Sequence, residues 1–240
     1  MSVLADGKIL ITGNFTRVNG AVRVYTARLH ADGALDNTFI SNGTFAGESV
    51  LSSALQADGK LLVGGNFSEL NGFRRPTFAR LLNDPATEAL TVPTGERVEW
   101  RRGGSSPELQ RVWFDLSTNN GVSWTPLASG RPIAGGWEAR GLTLAGDGMV
   151  RARGYAPAGR FNGSSSLMET KVSFSFPPPD ATTLAATAVT GVSAQVNGEI
   201  NPNGTSTSVI FEYGLTDTYG PTATAAPAMI GGNELTPVGK

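Results

Sequence analysis

Short apolar runs separated by turn-forming residues recur along the chain. Residues 9–11 and 61–63 are continuously apolar, whereas Val172, Phe174 and Phe176 alternate with serines. Continuous short runs are typical of strands covered on both faces, and alternation is typical of strands with one buried face. No segment carries apolar residues at the i, i+3, i+4, i+7 spacing of an amphipathic helix over several turns. The pattern predicts an all-β protein.

A repeat organises the first third of the chain. Residues 5–32 align without a gap on residues 57–84, and about half of the aligned positions are identical. Both copies keep two dipeptides that favour tight hairpin turns, namely Asp6-Gly7 and Asn19-Gly20, then Asp58-Gly59 and Asn71-Gly72. A repeat of about 50 residues with several strands per copy is typical of propeller blades or a related β-array.

The repeated residues also resemble a known family. The segments LQADGKLLVGGNF and ARLHADGALDNTF are similar to the delta-60 repeat, which occurs in tandem in bacterial surface and secreted proteins and is treated as a β-propeller. The resemblance covers residues 2 to about 82 and implies two blade-like antiparallel repeats, at about 1–48 and 49–90. Because a propeller ring needs about four to eight blades, we expect the remaining blades of the full-length chain to be partners of these two.

The composition changes after Leu90. Strands are expected at 98–100, 112–116, 137–144, 150–155 and 172–176, and this spacing predicts a β-sandwich over residues 91–176. Val112, Phe114 and Leu116 should share one face. The stretches GGWEARGL and VRARGYAPAGRFNGSSSL resemble the module that often follows delta-60 repeats.

A proline-rich linker at 177–180 marks the next boundary. Residues 181–240 resemble the start of a fibronectin type III-like domain through the segments 201–204 and 211–214, and Val209, Phe211 and Tyr213 alternate as one buried face. Such domains take about 100 residues, so we expect an incomplete, partial immunoglobulin or fibronectin III-like sandwich, and a chain cut at both ends.

Charge and composition exclude several kinds of function. The net charge of −1 argues against a nucleic-acid partner, and no apolar window is long enough to span a bilayer. The first residues lack the basic start and apolar core of a secretory signal. With no cysteine and one histidine, the chain has no thiol nucleophile and no histidine metal cluster. We therefore expect no catalytic residues, no cofactor and no metal site.

Carboxylates and the single histidine are the remaining candidates for catalysis. His30 is predicted at a strand end, where the second copy has a leucine. Asp32 and Asp36 form one possible carboxylate pair and Glu96 and Glu99 another, since a glycosidase needs only two carboxylates placed by the fold. The first pair has acidic counterparts in the second copy, which favours a structural role.

Aromatic and basic residues suggest binding instead. The segment 117–124 resembles an Asp-box hairpin with Asn119 in the aspartate position, and its mechanics are structural. Of the tryptophans at 113, 124 and 137, Trp113 is the candidate for ligand binding because alternation points it away from Val112 and Phe114. The arginine pairs at 101–102 and 151–153 are interpreted as solvated strand faces or cross-strand pairs.

Together these observations predict a non-catalytic modular extracellular protein fragment, secreted or at the bacterial cell surface. Its role would be structural, adhesive or binding, with an unidentified protein or glycan as partner. The alternative is an accessory, carbohydrate-binding portion of a secreted carbohydrate-active enzyme whose catalytic domain lies outside this chain. A third possibility is a cytoplasmic scaffold.

Overall fold

The computed structural model describes residues 1–39, 45–157, 165–214, 216 and 218–240, except the side chains of residues 47 and 48. Within these ranges the regular elements are strands, and no helix is present. The prediction of an all-β chain is confirmed. The described residues accordingly contain no helix that is long and apolar enough to cross a membrane.

The first copy of the repeat is a small antiparallel meander. Its strands are β1 (Ser2–Val3), β2 (Ile9–Thr12), β3 (Arg17–Val18), β4 (Ala21–Val22) and β5 (Thr26–Leu29). β2 lies between β1 and β5, and β3 pairs with β4 in a separate hairpin. Asn19 and Gly20 have φ angles of 48° and 81°, so the Asn-Gly dipeptide makes the predicted tight turn.

The second copy repeats this plan with longer strands. These are β6 (Phe45–Leu55), β7 (Leu61–Leu70), β8 (Phe73–Arg74) and β9 (Phe78–Leu81), and β7 pairs with all three others. The expected boundary between copies, at about residues 48 and 49, lies inside β6, which already pairs with β7 at Phe45↔Leu70.

The two copies pack head to tail. Strand register places Leu10 beside Arg28 on one face of the first sheet, and Val63 beside Ala79 on one face of the second. We call these the Arg28 face and the Ala79 face. They enclose a shared core, whose buried residues are Leu4, Leu10, Tyr25, Phe39, Phe45, Val50, Leu61, Val63, Phe67, Ala79 and Leu81.

Head-to-tail packing covers one face of each sheet more completely than the other. Ile9 and Ile11 lie on the opposite face from Leu10 and are partly exposed, as is Leu62 in the second copy. The prediction that residues 9–11 and 61–63 are buried on both faces is therefore wrong for these positions.

Two four-stranded antiparallel sheets follow, which we call the middle unit (86–176). Its strands are β10 (Ala86–Thr94), β11 (Arg97–Gly104), β12 (Arg111–Ser117), β13 (Thr125–Ser129), β14 (Arg131–Ile133), β15 (Gly136–Arg140), β16 (Gly146–Pro157) and β17 (Ser165–Phe176). One sheet has the order β10-β11-β15-β14 and the other β13-β12-β16-β17. The expected boundary at 90 lies within β10, where Leu90 is buried in the core of this unit.

The middle unit has one core between its two sheets. Val98, Trp100 and Trp137 from the first sheet and Val112 and Phe114 from the second are buried in it. Side chains that alternate with these residues lie on the outer faces of the sheets.

The chain ends in a single five-stranded sheet, the C-terminal unit (180–239). Its strands are β18 (Asp180–Thr187), β19 (Gln195–Asn201), β20 (Thr207–Glu212), β21 (Thr222–Ile230) and β22 (Thr236–Gly239), in the order β18-β19-β22-β21-β20. Val209 is buried and Phe211 packs against the core of this unit. Tyr213 is 48% exposed, so its predicted burial is wrong, because β20 ends at Glu212 before the alternation reaches it.

Backbone hydrogen bonds join the units. Ala5 N donates to Ser106 O at 2.8 Å, and Glu108 N donates to Val3 O at 3.0 Å, which fixes the first repeat to the middle unit. Gly95 N donates to Gly204 O at 2.8 Å and links the middle and C-terminal units.

Candidate functional site

The outer face of the β13-β12-β16-β17 sheet presents Trp113. In the register of β12 and β16, Trp113 lies opposite Arg153 and Asp115 lies opposite Arg151. Val112 and Phe114 are buried on the inner face, so alternation places Trp113 and Asp115 on the outer face, as the sequence predicts for Trp113.

A groove of about 530 Å³ runs over this face. Its apolar lining comes from Trp113 and Tyr155 together with Leu127, Ala128 and Leu167, and its charged lining comes from Arg111, Asp115 and Arg153. This volume is in the range of small-ligand sites, which are mostly apolar with a few placed polar groups.

Two aromatic rings and a guanidinium form one wall of the groove. The centroids of Trp113 and Tyr155 are 5.6 Å apart with an interplanar angle of 84°, which is a favourable edge-to-face contact. The Arg111 guanidinium carbon lies 5.3 Å from the Trp113 ring centroid, within the range of a cation–π interaction. These contacts hold the wall in one arrangement before any ligand arrives.

The acidic group of the groove is already paired. Asp115 is buried, and its carboxylate lies 2.8 Å from Arg153 Nε and 3.0 Å from Arg151 Nη2. This confirms the interpretation of Arg151 and Arg153 as a cross-strand pairing. Arg111, by contrast, has no carboxylate oxygen within 4.0 Å among the described residues. The groove therefore carries an excess of positive charge.

The other tryptophans are not available for stacking in the same way. Trp100 and Trp137 are buried in the core of the middle unit. Trp124 is half-buried, with the Arg151 guanidinium 4.5 Å and the Lys171 ammonium 5.7 Å from its ring centroid. Of the four tryptophans, Trp113 therefore lines this groove and the other three do not.

The Asp-box-like hairpin is built as a turn. Asn119 Oδ1 accepts hydrogen bonds from Ser123 N and the Ser117 hydroxyl, each at 2.9 Å, and its Nδ2 donates to Ser123 Oγ at 2.8 Å. Gly121 N donates to Ser117 Oγ at 2.8 Å. All three polar side chains are used within the turn, so the geometry supports a structural role.

Asp36 lies between the two repeats rather than in an open site. Its carboxylate is buried and accepts from Arg28 Nε at 2.8 Å and from the backbone and hydroxyl of Thr38. Burial alone would raise the pKa of Asp36, but the hydrogen bonds from Thr38 and Arg28 outweigh it and hold that pKa well below its usual range. Asp36 therefore stays ionised and is a poor general acid.

Asp32 and His30, the other candidates near Asp36, are exposed. Asp32 accepts from Ala34 N at 2.9 Å and shapes the turn after β5. His30, just after β5, is half-exposed and lies 4.0 Å from Asp36 Oδ1. These contacts fit the structural role that the sequence favours for this turn.

Glu99 lies opposite Glu138 and does not form the predicted carboxylate pair with Glu96. In the register of β11 and β15, Glu99 lies opposite Glu138, whereas Glu96 is exposed in the preceding turn. Arg101 is 2.8 Å from Glu99, Arg140 is 2.9 Å from Glu138, and Arg97 contacts both glutamates. Hydrogen bonds from Arg140 and Arg97 lower the pKa of Glu138 against the opposing effect of burial.

Residues 101–102 follow the two alternatives that the sequence offers, since Arg101 lies on a solvated strand face and Arg102 lies opposite Glu88 in the register of β10 and β11. Arg101 is exposed, but Arg102 is buried, with its guanidinium 4.7 Å from the Trp100 ring centroid and 3.2 Å from Glu88. The cause is alternation, because Arg102 shares the inward parity of Trp100. Burial lowers the pKa of Arg102 from its ordinary value.

Sequence reasoning found one residue of the groove and missed its companions. Arg111, Tyr155 and Leu167 lie on three different strands, and their proximity depends on strand order and register. Alternation within β12 is a local signal that places Trp113 on one face with Arg111 and Asp115, but it carries no information about Tyr155 or Leu167. The described residues contain no group of three histidine, cysteine or acidic side chains arranged to hold a metal ion.

Comparison with known families agrees with the repeat geometry. Residues 4–39 and 56–84 match the family described as a domain of unknown function (DUF5122) beta-propeller. The two matched segments fall on the two copies, and the match fits a propeller-type repeat within an all-β chain. Searches of curated proteins and of solved structures found no match.

Proposed function

We propose that the chain is a non-catalytic binding part of a modular extracellular protein that acts at the bacterial cell surface. The observation that carries this proposal is the groove beside Trp113, where aromatic and aliphatic side chains surround a small number of charged groups. Such a lining suits the flat, apolar face of a sugar ring whose polar edge meets the arginines.

The charged groups favour binding over catalysis. The groove holds one carboxylate, Asp115, and two arginines already bind it. Acid–base glycoside cleavage needs two carboxylates on either side of the bond. The ion-paired Glu99 and Glu138 lie on the other sheet and face the opposite side of the unit.

The domain identities belong to the same proposal. We take the repeats as delta-60 repeats, the middle unit as a β-sandwich module, and the C-terminal unit as fibronectin type III-like. Two sheets around one core support the second assignment. Modules of these kinds would place the Trp113 groove within a row of surface domains.

Affinity electrophoresis with a panel of neutral and acidic soluble polysaccharides tests the proposal. We expect at least one polysaccharide to retard the full chain, and Trp113→Ala to abolish the retardation. Trp124→Phe is the matched control, because Trp124 lies on the same face but is covered by Arg151 and Lys171. Failure of every polysaccharide to retard the protein, or equal retardation of Trp113→Ala with native circular dichroism, would overturn the proposal.

The groove equally supports an accessory, carbohydrate-binding role beside a catalytic domain of a secreted carbohydrate-active enzyme. The gene on both sides of this segment distinguishes the two. Further repeats and an export signal favour the surface protein, whereas an adjoining hydrolase domain favours the enzyme accessory.

A further inference from the structure

We infer that the Trp113 groove selects carboxylated sugars of the uronate type over neutral ones. This inference rests on the proposed function, because it specifies the ligand of the same groove. It starts from the arrangement of charge on β12 and β16, which a neutral sugar would leave unused.

Cations and aromatic rings alternate in two directions across the groove. Along β12, Arg111 is followed on the same face by Trp113, and along β16, Arg153 is followed by Tyr155. Across the strands, Arg111 lies opposite Tyr155 and Trp113 lies opposite Arg153. Each aromatic ring therefore has a guanidinium beside it on its own strand and on the neighbouring one.

Arg111 is the cationic group of the groove that is able to bind an anion. Its guanidinium has the Trp113 ring as its described contact and no carboxylate within reach in the part of the chain that the structure describes. A guanidinium offers five N–H donors in a fork that matches a carboxylate. A bound carboxylate would use these donors without removing Arg111 from the wall of the groove.

Asp115 does not cancel this attraction. Its buried carboxylate is shared between Arg151 and Arg153. Its negative charge is therefore already balanced by two cations. Farther along the face, Lys171 lies 3.1 Å from Glu169 and forms a separate ion pair. The lining of the groove itself carries two arginines and one aspartate, and it is positive.

A sugar polymer is favoured over other anions by the shape and the apolar lining. The groove is of small-ligand size rather than an extended interface. Trp113, Tyr155 and Leu167 would cover the apolar face of a ring while Arg111 binds its carboxylate. An acidic peptide offers the carboxylate but not the ring.

The test compares two forms of one polymer. Polygalacturonate and its fully methyl-esterified form share a backbone and differ in charge, and both are titrated into the full chain by isothermal calorimetry. We expect the free acid to bind at least about tenfold more tightly, and Arg111→Gln to remove most of that difference. Arg74→Gln makes the same charge change on an exposed strand of the second repeat and should leave both affinities unchanged.

The outcomes separate this inference from the proposed function. Equal binding of the two forms, with both lost in Trp113→Ala, overturns the selectivity and leaves glycan binding intact. Binding of neither form overturns the selectivity, and failure of the wider polysaccharide panel overturns the proposed function as well. Poly-glutamate binding as tightly as polygalacturonate, with the same loss in Arg111→Gln, overturns the assignment of a sugar.

Discussion

The buried charges between the two repeats show how single residues join them. Arg28 is 1% exposed and Asp36 is 0% exposed, and their side chains lie 2.8 Å apart. Arg28 also lies 2.7 Å from Asp84 and donates to Asn83 at 2.6 Å, both in the second copy. Because a buried cation without its partner is strongly unfavourable, these contacts fix the position of one repeat on the other.

Replacing Asp36 should change both stability and its pH dependence. Asp36→Asn leaves Arg28 without its buried partner and should lower the free energy of unfolding by about 3 kcal/mol. Because folding lowers the pKa of Asp36, the native ion pair stabilises the fold above about pH 4, and this stabilisation is lost as the pH falls further. Urea unfolding measured from about pH 2 to pH 7 should therefore show that the free energy of unfolding falls less steeply in acid for the variant than for the original chain.

Asp32→Asn is the control for that experiment. Asp32 is exposed and accepts one backbone hydrogen bond, from Ala34, which an asparagine oxygen can also accept. We expect a change below about 0.5 kcal/mol. Equal losses for the two variants would contradict the role assigned to Asp36.

At the scale of elements, two equivalent turns differ in what surrounds them. Gly7 and Gly59 occupy the same position in the two copies and have φ angles of 84° and 86°. A Cβ on Gly7 would meet only Ala31 Cβ at 3.5 Å, whereas one on Gly59 would meet Asp84 O at 2.7 Å and Ser105 Cβ at 2.9 Å. The second turn is therefore wedged against the start of the middle unit.

Alanine at these two glycines should separate backbone strain from close packing. Gly7→Ala incurs the left-handed backbone penalty of about 1–2 kcal/mol. Gly59→Ala incurs the same penalty and an overpacking penalty of about 1–3 kcal/mol in addition. Chemical denaturation of the full chain measures both, and equal losses would show that the turn can move away from the middle unit without penalty.

The sequence was most informative where a structure depends on neighbouring residues. Asn19 with Gly20 identifies a turn, and alternation in β12 identifies the outward position of Trp113. The registers that bring Glu138 opposite Glu99 and Tyr155 opposite Arg111 join residues more than 35 positions apart (well beyond the windows of about 11–18 residues in which hydrophobic periodicity is read). Register and strand order are decided by the whole sheet, so the composition of the groove could not be predicted.

At the scale of the whole molecule, the second repeat presents an uncovered face. The Arg28 face of the first copy packs on the Ala79 face of the second. The corresponding face of the second copy, around Arg80, is open, with Phe78 57% exposed and Leu82 beyond it 78% exposed. Since the first copy buries the equivalent face against a repeat, the open face is suited to the repeat of another chain.

Self-association through this face should be measurable. Sedimentation velocity of the full chain over a range of concentrations should show a reversible increase in mass, and Phe78→Ser with Leu82→Ser should remove it, because apolar burial drives the contact. Val192→Ser is the control, since Val192 is 98% exposed in the C-terminal unit. A chain that stays monomeric throughout would contradict this expectation.

The contact between Arg28 and Asp84 also has a consequence for biosynthesis. The first repeat leaves the ribosome before the second has been translated, and about 50 further residues separate Asp36 from Asp84, which takes about 3–10 s at 5–20 residues per second. During this interval Arg28 has Asp36 but lacks Asp84 and the covering face of the second copy. The core of the nascent first repeat therefore stays incompletely buried, and it reaches its native packing only when the second repeat has emerged.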